Sequence, residues 1–327
     1  MQAWLMDDYK GIGGLRLAEA PNPIPQPDGV VLELHYAALN PADAYLAENL
    51  YPAKPRLPHI LGRDGVGTVV EVGNRAGAIR VGERRAILPG ETGINQPGTF
   101  AQRVAVPVQA LVEIPAGWTE PEAAGAALVY LTAYQALTMW GPLPPSSVVL
   151  VTGASGGVGV AAVQLAAALG HKVVALSRSP EKCRRLEQLG ASVTFSPEDP
   201  KWSLTLKTTL EPRRVDLAID NIGGKLLPQV INTLGELGRV SLVGRLAGPV
   251  PSFNTATLFF RRIRLGGMAV SACTNAETRA AWQEILNLLA RTGARPQVDK
   301  VFAFDQLTQA FERLAQGPMG KVLLANR

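Results

Sequence analysis

The stretch at residues 149–160, VLVTGASGGVGV, constrains this chain more than any other. An apolar β-branched run ends in a cluster of small residues, and an Ala-rich apolar segment follows. The pattern reads strand, tight turn, helix. Within it Ala154, Ser155, Gly156, Gly157, Val158 and Gly159 match G-x-G-x-x-G, with Ala in the first place. Small residues there let the turn close, let the backbone approach a pyrophosphate and let the helix pack close to the strand. The helix N-terminus then offers unpaired N–H groups and positive dipole to an anion. A glycine-rich turn without a ligand is the plainer alternative. The flanking strand and helix, and a second strand (KVVALS) at the right distance, favour dinucleotide binding.

The end of that second strand separates the two nicotinamide cofactors. An NAD site places Asp or Glu there to accept from the ribose 2′-OH. No acid occurs between Lys172 and Pro180, and the strand runs into Ser177-Arg178-Ser179, with Lys182 one turn into the next helix. Arg178 and Lys182 can face a 2′-phosphate and Ser177 can donate to it. Taken singly, Lys182 reads as an ordinary helix-surface residue. The missing acid together with two cations makes NADPH the expected cofactor. TGASGGVG also opens short-chain dehydrogenases, which need a later Tyr-x-x-x-Lys. All six tyrosines lie before this turn, so that possibility fails.

Around the turn the chain alternates strand and helix. SVVLVT, a helix at 157–169, KVVALS, a helix at 180–189, VDLAID, a helix near 225–234, GRVSLVG and RIRLGGMAVS follow in order, the pattern of a doubly wound parallel sheet. Ser179 is placed to cap the second of these helices, with Pro180 at its first position and Gly190 beyond its end. Before this region the segments are short, apolar and separated by Gly and Pro: GVVLELHYAAL, GVGTVVEVG, RRAIL, QRVAVP and ALVEIP. They suggest an antiparallel β domain. Thr119 with Glu122 three residues on forms a capping box, and one long helix is expected from there to about Trp140. The tail, with helices at 277–289 and 306–314, a strand near Val298 and a closing GKVLLA, is expected to return to the first domain. The implied division is 1–118, a mainly antiparallel β domain; 119–272, the dinucleotide-binding domain; and 273–327.

Hydrophobic residues make up 47% of the 327 positions and charged residues 18%, a globular balance. The net charge of +5 is scattered, without a block of five cations, so nucleic acid is not the expected partner. Two cysteines, Cys183 and Cys273, make no disulfide framework and fit a reducing compartment. The N-terminus, MQAWLMDDYKG, carries no basic region ahead of a long apolar one, and no run is long enough to cross a bilayer. A cytoplasmic protein with no membrane partner is expected.

The whole chain resembles a zinc-free medium-chain dehydrogenase/reductase, similar to NADPH:quinone oxidoreductases of the zeta-crystallin group and to 2-enoyl thioester reductases. The motifs are LNPADAY (39–45), NLYPAKP (49–55), LGRDGVGTVVEVG (61–73), GTFAQRVAVP (98–107), YLTAYQAL (130–137), the glycine turn and GKVLL (320–324). The resemblance implies a Rossmann domain beside a GroES-like catalytic domain, a substrate cleft between them, and a homodimer formed through sheet edges near RLGGMAVS. The zinc-dependent branch carries Cys, Gly-His-Glu and a further Cys as catalytic ligands. Here Asn40 stands in the first place, Arg63-Asp64 replace His-Glu, and the segment around Leu128 has no Cys. The four close cysteines of a structural zinc lobe are missing too, and His35, His59 and His171 show no ligand-like spacing. No metal is expected. Carried over residue by residue, Tyr51 of NLYP matches the enoyl reductases' proposed acid and Tyr45 a second tyrosine lining the quinone reductase pocket. Either also reads as a packing aromatic. Asn40 and Thr132 match positions near the nicotinamide and its ribose, and Asn221 and Gly244 match cofactor-lining positions after later strands.

Without a Lewis acid, an isolated carbonyl loses its main electrophilic aid. A conjugated acceptor spreads the incoming charge to an oxygen, which a hydrogen-bond donor can stabilise. Quinones and α,β-unsaturated carbonyls both qualify, enoyl thioesters among them. Two further readings stay open, a zinc-type alcohol dehydrogenase and a non-catalytic crystallin-like protein. The missing ligands weigh against the first. The intact glycine turn, the basic 2′-phosphate site and Tyr51 weigh against the second.

Overall fold

The computed structural model describes residues 1–248 and 252–326. The chain divides into two compact units. One comprises Met1–Leu128, Ser271–Arg279 and Arg295–Arg327, and the other Val129–Val270 and Ala280–Ala294.

Among the described residues, the second unit holds a six-stranded sheet. Its order is Val193–Phe195, Lys172–Leu176, Val148–Val151, Val215–Asp220, Leu234–Leu242, Arg264–Gly267, and every pairing is parallel. The central strand, VVLV, is buried at all four residues. Such an unbroken apolar run is what a parallel strand covered on both faces requires. Valines 148 and 174, Trp202, Leu206, Val230 and Ile231 belong to the core on one side. The helix Gly157–Ala168 follows the central strand and buries eight consecutive residues from Gly159 to Ala166. Strand order reverses between Val148–Val151 and Val215–Asp220, and at such a switch point open α/β sheets bind ligands. The glycine turn leaves the sheet at that point.

The first unit is mainly antiparallel. A seven-stranded sheet runs Val298–Ala303, Lys321–Ala325, Gly29–Ala38, Asp64–Val72, Arg84–Ile87, Leu111–Glu113, with Arg103–Pro107 also paired to Gly29–Ala38. Only Val298–Ala303 and Lys321–Ala325 pair in parallel. The closing strand lies antiparallel to Gly29–Ala38 with Leu323 opposite Ala38, whereas Ala280–Ala294 of the tail belongs to the second unit. A smaller sheet joins Gln2–Met6 to Arg16–Glu19 and His59–Ile60. Between the sheets lies a core with Trp4, Met6, Leu39, Leu46, Leu61, Phe100 and Phe311, in which Phe100 and Phe311 meet edge to face, centroids 5.9 Å apart.

The long helix expected from Thr119 is two helices, Glu120–Ala124 and Ala127–Thr138. The capping box is as expected: Thr119 accepts from the Glu122 amide and Glu122 accepts from the Thr119 amide at 2.7 Å. The interruption has a cause in packing. A Cβ on Gly125 would lie 3.1 Å from both Cβ and Cγ of Lys321, so the chain is pressed against the stem of that lysine. The restarted helix brings the Leu128 amide to the Asp64 carboxylate at 3.3 Å. Among the described residues, no helix is long and apolar enough to cross a membrane.

Candidate active site

In the second unit the glycine turn is built by hydrogen bonds of its own backbone. Ala154 donates to the Leu176 carbonyl at 3.1 Å, Gly156 to Gly153 at 3.0 Å, and Val160 to Gly156 at 2.8 Å. A Cβ on Gly159 would stand 2.3 Å from the Gly153 carbonyl and 2.6 Å from the Ala154 Cα, so only glycine lets the helix seat so closely on the turn. Gly156 is different: an added Cβ would meet only the Gly153 carbonyl, at 3.5 Å, and otherwise faces open space. Gly156 is the N-cap of the helix Gly157–Ala168, and no side chain caps it. The first-turn N–H groups are thus left for an anion, as dinucleotide binding needs.

A polar network ties the ends of the two central strands together. Thr152 donates to Asp220 at 2.6 Å, and the Asn221 amide donates to the Thr152 hydroxyl at 2.9 Å. The side-chain Nδ2 of Asn221 donates to the Thr152 carbonyl at 2.8 Å. Its Oδ1 is buried without a hydrogen-bond partner, and such an orphan calls for a donor. Gly244 lies against the Asn221 main chain, since a Cβ there would be 2.5 Å from its backbone carbonyl. An unpartnered acceptor at the switch point and a turn with no side chain across it fit a dinucleotide. Ser177 is buried just beyond Lys172–Leu176, while Arg178 is exposed and Lys182 half-buried. Ser179 accepts from the Lys182 amide, capping the next helix as expected. Thr132 is buried on Ala127–Thr138.

In the first unit a buried charge cluster surrounds Asn40. The ammonium of Lys321 donates to the Leu39 carbonyl at 2.9 Å, to Asn40 Oδ1 at 2.7 Å and to Asp64 Oδ2 at 3.2 Å. Asn40 Nδ2 donates to the same Asp64 oxygen at 2.9 Å, and the Leu128 amide donates to the other. All three protons of the ammonium and both carboxylate oxygens are satisfied, the condition under which a buried pair can persist. Asn40 also starts the short helix Pro41–Ala47, its amide donating to Asp43 Oδ2 at 2.8 Å. Asp43 is fully buried, and burial pushes its carboxyl up to about 6 although the nearby Arg63 guanidinium pulls the other way.

Tyr51 sits in the loop that follows this helix. Lys54 holds the loop by donating to the Asn49 and Tyr51 carbonyls, each at 3.1 Å. The Tyr51 hydroxyl accepts from Arg63 Nη1 at 3.1 Å, and the guanidinium lies 4.5 Å from the ring centroid. Tyr45 is half-buried on Pro41–Ala47. The structure therefore places Asn40, Tyr45 and Tyr51 on one short helix and its following loop. Sequence reasoning missed the residues that organise them. Lys321 and Asp43 carry no signal of their role in the sequence, and Arg63 and Asp64 stand out there only as replacements for ligands.

Where the resemblance sets zinc ligands, the donor set does not suit zinc. Asn40 and Arg63 stand in two places, and Asp64 already carries an ammonium. Among the described residues, no group of three or more His, Cys, Asp or Glu side chains could hold a metal ion.

Comparison with known proteins gives the same architecture. Residues 157–291 match the family described as zinc-binding dehydrogenase, and residues 26–116 match the alcohol dehydrogenase GroES-like domain. The quinone oxidoreductase of Lama guanicoe is 28% identical over 327 residues, 99% of this chain and 97% of that protein. A solved structure of an NAD-dependent alcohol dehydrogenase is similar with a TM-score of 0.91 at 28% identity, with all of both chains covered. A mycobacterial protein solved in complex with NADPH is similar with a TM-score of 0.89 at 25% identity, over 99% of each chain.

Proposed function

Because the chain belongs to the medium-chain dehydrogenase/reductase superfamily and is an oxidoreductase of that kind, we propose that it is a metal-independent, NADPH-dependent reductase of quinones or α,β-unsaturated carbonyl compounds. The observation that carries this reading is the closure of Asn40 and Asp64 by the Lys321 ammonium. A carboxylate so engaged is a poor metal ligand, and without a Lewis acid the acceptor must delocalise negative charge itself. Conjugated carbonyls and quinones do so.

The glycine turn and Asn221 would hold the cofactor, with Ser177 and Arg178 beside its 2′-phosphate. NADPH, when bound, supplies the hydride. As the acceptor is reduced, an electron pair moves onto its oxygen. The Tyr51 O–H stabilises that charge and then breaks, its proton passing to the reduced product and a proton from solvent restoring the phenol. The name of the guanaco relative and the NADPH in the mycobacterial structure support this reading.

The test is a panel of quinones, 2-enals, enones, enoyl thioesters and simple ketones, each with NADPH and NADH, with and without chelator. Turnover of conjugated acceptors with NADPH, unaffected by chelator, is expected. One zinc per chain by elemental analysis, with activity lost on its removal, or turnover confined to simple ketones, would overturn it.

A further inference from the structure

Arg63 has a geometry that the overall reaction does not by itself demand. Its guanidinium is almost wholly buried and is held by two hydrogen bonds, with an ion pair beside them. Nη2 donates to the Ala42 carbonyl at 3.3 Å and Nη1 to the Tyr51 hydroxyl at 3.1 Å, while Nε and Asp43 Oδ1 form an ion pair at 3.3 Å without a hydrogen bond between them. Its backbone is equally fixed. Gly62, just before it, has φ 97°, and any Cβ there would come within 2.5 Å of the Thr99 hydroxyl. Side chain and main chain thus leave the guanidinium little freedom, which is what an orienting group needs.

The chemistry of the contact has a direction. A guanidinium carries five N–H donors and no acceptor. Where it meets a phenol, the phenol oxygen must accept, and the phenol's own hydrogen must point away from Arg63. Once that hydrogen is given up, the resulting phenolate faces a fixed positive charge across a hydrogen bond, the strong charge-assisted kind. From this juxtaposition we infer that Arg63 is a positioning residue that aims the Tyr51 hydroxyl hydrogen at the substrate oxygen and stabilises the phenolate left after proton transfer. Asp43 balances the charge of the guanidinium, and the Ala42 carbonyl holds its other nitrogen. The inference rests on the reading of Tyr51 as proton donor. It adds that this donor works through an arginine in a place where the zinc-dependent relatives carry a metal ligand.

The test is a double-mutant cycle with Tyr51→Phe, Arg63→Gln and the two combined, measuring kcat and KM on the best acceptor, NADPH affinity by fluorescence titration, and the thermal midpoint. Arg63→Gln is expected to lower kcat about tenfold or more, with KM changed less than about twofold and NADPH affinity unchanged. On the Tyr51→Phe background the same substitution is expected to change kcat by less than about twofold, since the group it serves is gone. Arg63→Lys, which keeps a cationic donor, should recover part of the loss. Because Arg63→Gln strands the buried Asp43, the cycle is repeated with Asp43→Asn in every member, so poor folding of one variant does not end the test. Equal losses from Arg63→Gln with and without the Tyr51 hydroxyl, or no loss at all, would strike down the role of Arg63 while leaving Tyr51 as donor. Full turnover by Tyr51→Phe would strike down the donor role itself, and this inference with it.

Discussion

Lys321 opens an otherwise apolar closing strand and is buried, and the structure shows why it is tolerated: each ammonium proton has an acceptor among Leu39, Asn40 and Asp64. Removing one member of such a pair leaves an uncompensated buried charge, whereas replacing both is far milder. Lys321→Met should therefore lower stability to urea by about 3–5 kcal/mol, and Lys321→Met with Asp64→Asn should regain much of that. A single variant as stable as the parent would show that the pair contributes nothing. Asp43 makes a separate, pH-dependent contribution. Its carboxyl is raised from 3.8 to about 6, chiefly by burial, so between those values the folded state holds a proton that the unfolded state has released. The stabilisation from this proton is full below about pH 4 and is lost as pH rises through 6. Asp43→Asn should remove that slope. Relative to the variant, the parent should lose on the order of 2–3 kcal/mol between pH 4 and 7. Parallel stability curves for the two proteins would refute the assignment.

The turn from Gly153 to Gly159 separates two jobs that glycine does in one element. At Gly159 the missing Cβ lets the helix Gly157–Ala168 pack on the Gly153 carbonyl; at Gly156 it leaves the outer face of the turn open. Gly159→Ala should cost about 1–3 kcal/mol of stability, because backbone must shift to admit the methyl, and should weaken NADPH as a consequence. Gly156→Ala should leave the thermal midpoint unchanged but weaken NADPH at least about tenfold, or 1.4 kcal/mol, by placing a methyl where a phosphate approaches. Equal effects of the two on stability would mean that the turn has one role, not two. This element was legible because its constraint is local: strand, small residues and helix are contiguous. The capping box at Thr119 and the Ser179 cap were legible for the same reason. The strands Gln2–Met6 and Arg16–Glu19 were not, since they are short and three of the four residues in Arg16–Glu19 are exposed. The helix Pro41–Ala47 carried signals, with Asn40 at its N-cap and Pro41 at its first position, that a motif reading of LNPADAY passed over. Lys321 stands at the head of the apolar run VLLA, where a strand-end lysine gives no sign of burial. Its partners lie 257 residues or more away in sequence, and no spacing rule reaches that far. The break at Gly125 follows from that same lysine and could not be anticipated without it.

At the scale of the molecule, each unit brings one part of the expected chemistry: Tyr51 with its arginine in the first, the glycine turn with Ser177 and Arg178 in the second. The cofactor is a ligand of the folded protein, so its affinity can be read from stability. A ligand at 100 times its Kd stabilises by about 2.7 kcal/mol, and a tenfold difference in affinity appears as about 1.4 kcal/mol. No acid stands at the end of Lys172–Leu176 to accept from a ribose hydroxyl, whereas Ser177 and the exposed Arg178 follow it, and the net charge of +5 favours an anion. NADPH should therefore raise the thermal midpoint more than NADH at equal concentration, by the equivalent of at least about tenfold in Kd. Because Arg178 is open to solvent, that advantage should shrink as salt is raised from 0.05 to about 0.5 M. The preference is expected to vanish in Arg178→Ala, which should lose affinity for NADPH and keep its affinity for NADH. Equal shifts from the two cofactors in the unmutated protein would sink the assignment. A preference that survives Arg178→Ala would move it to Ser177 and Lys182, the other candidates at that strand end.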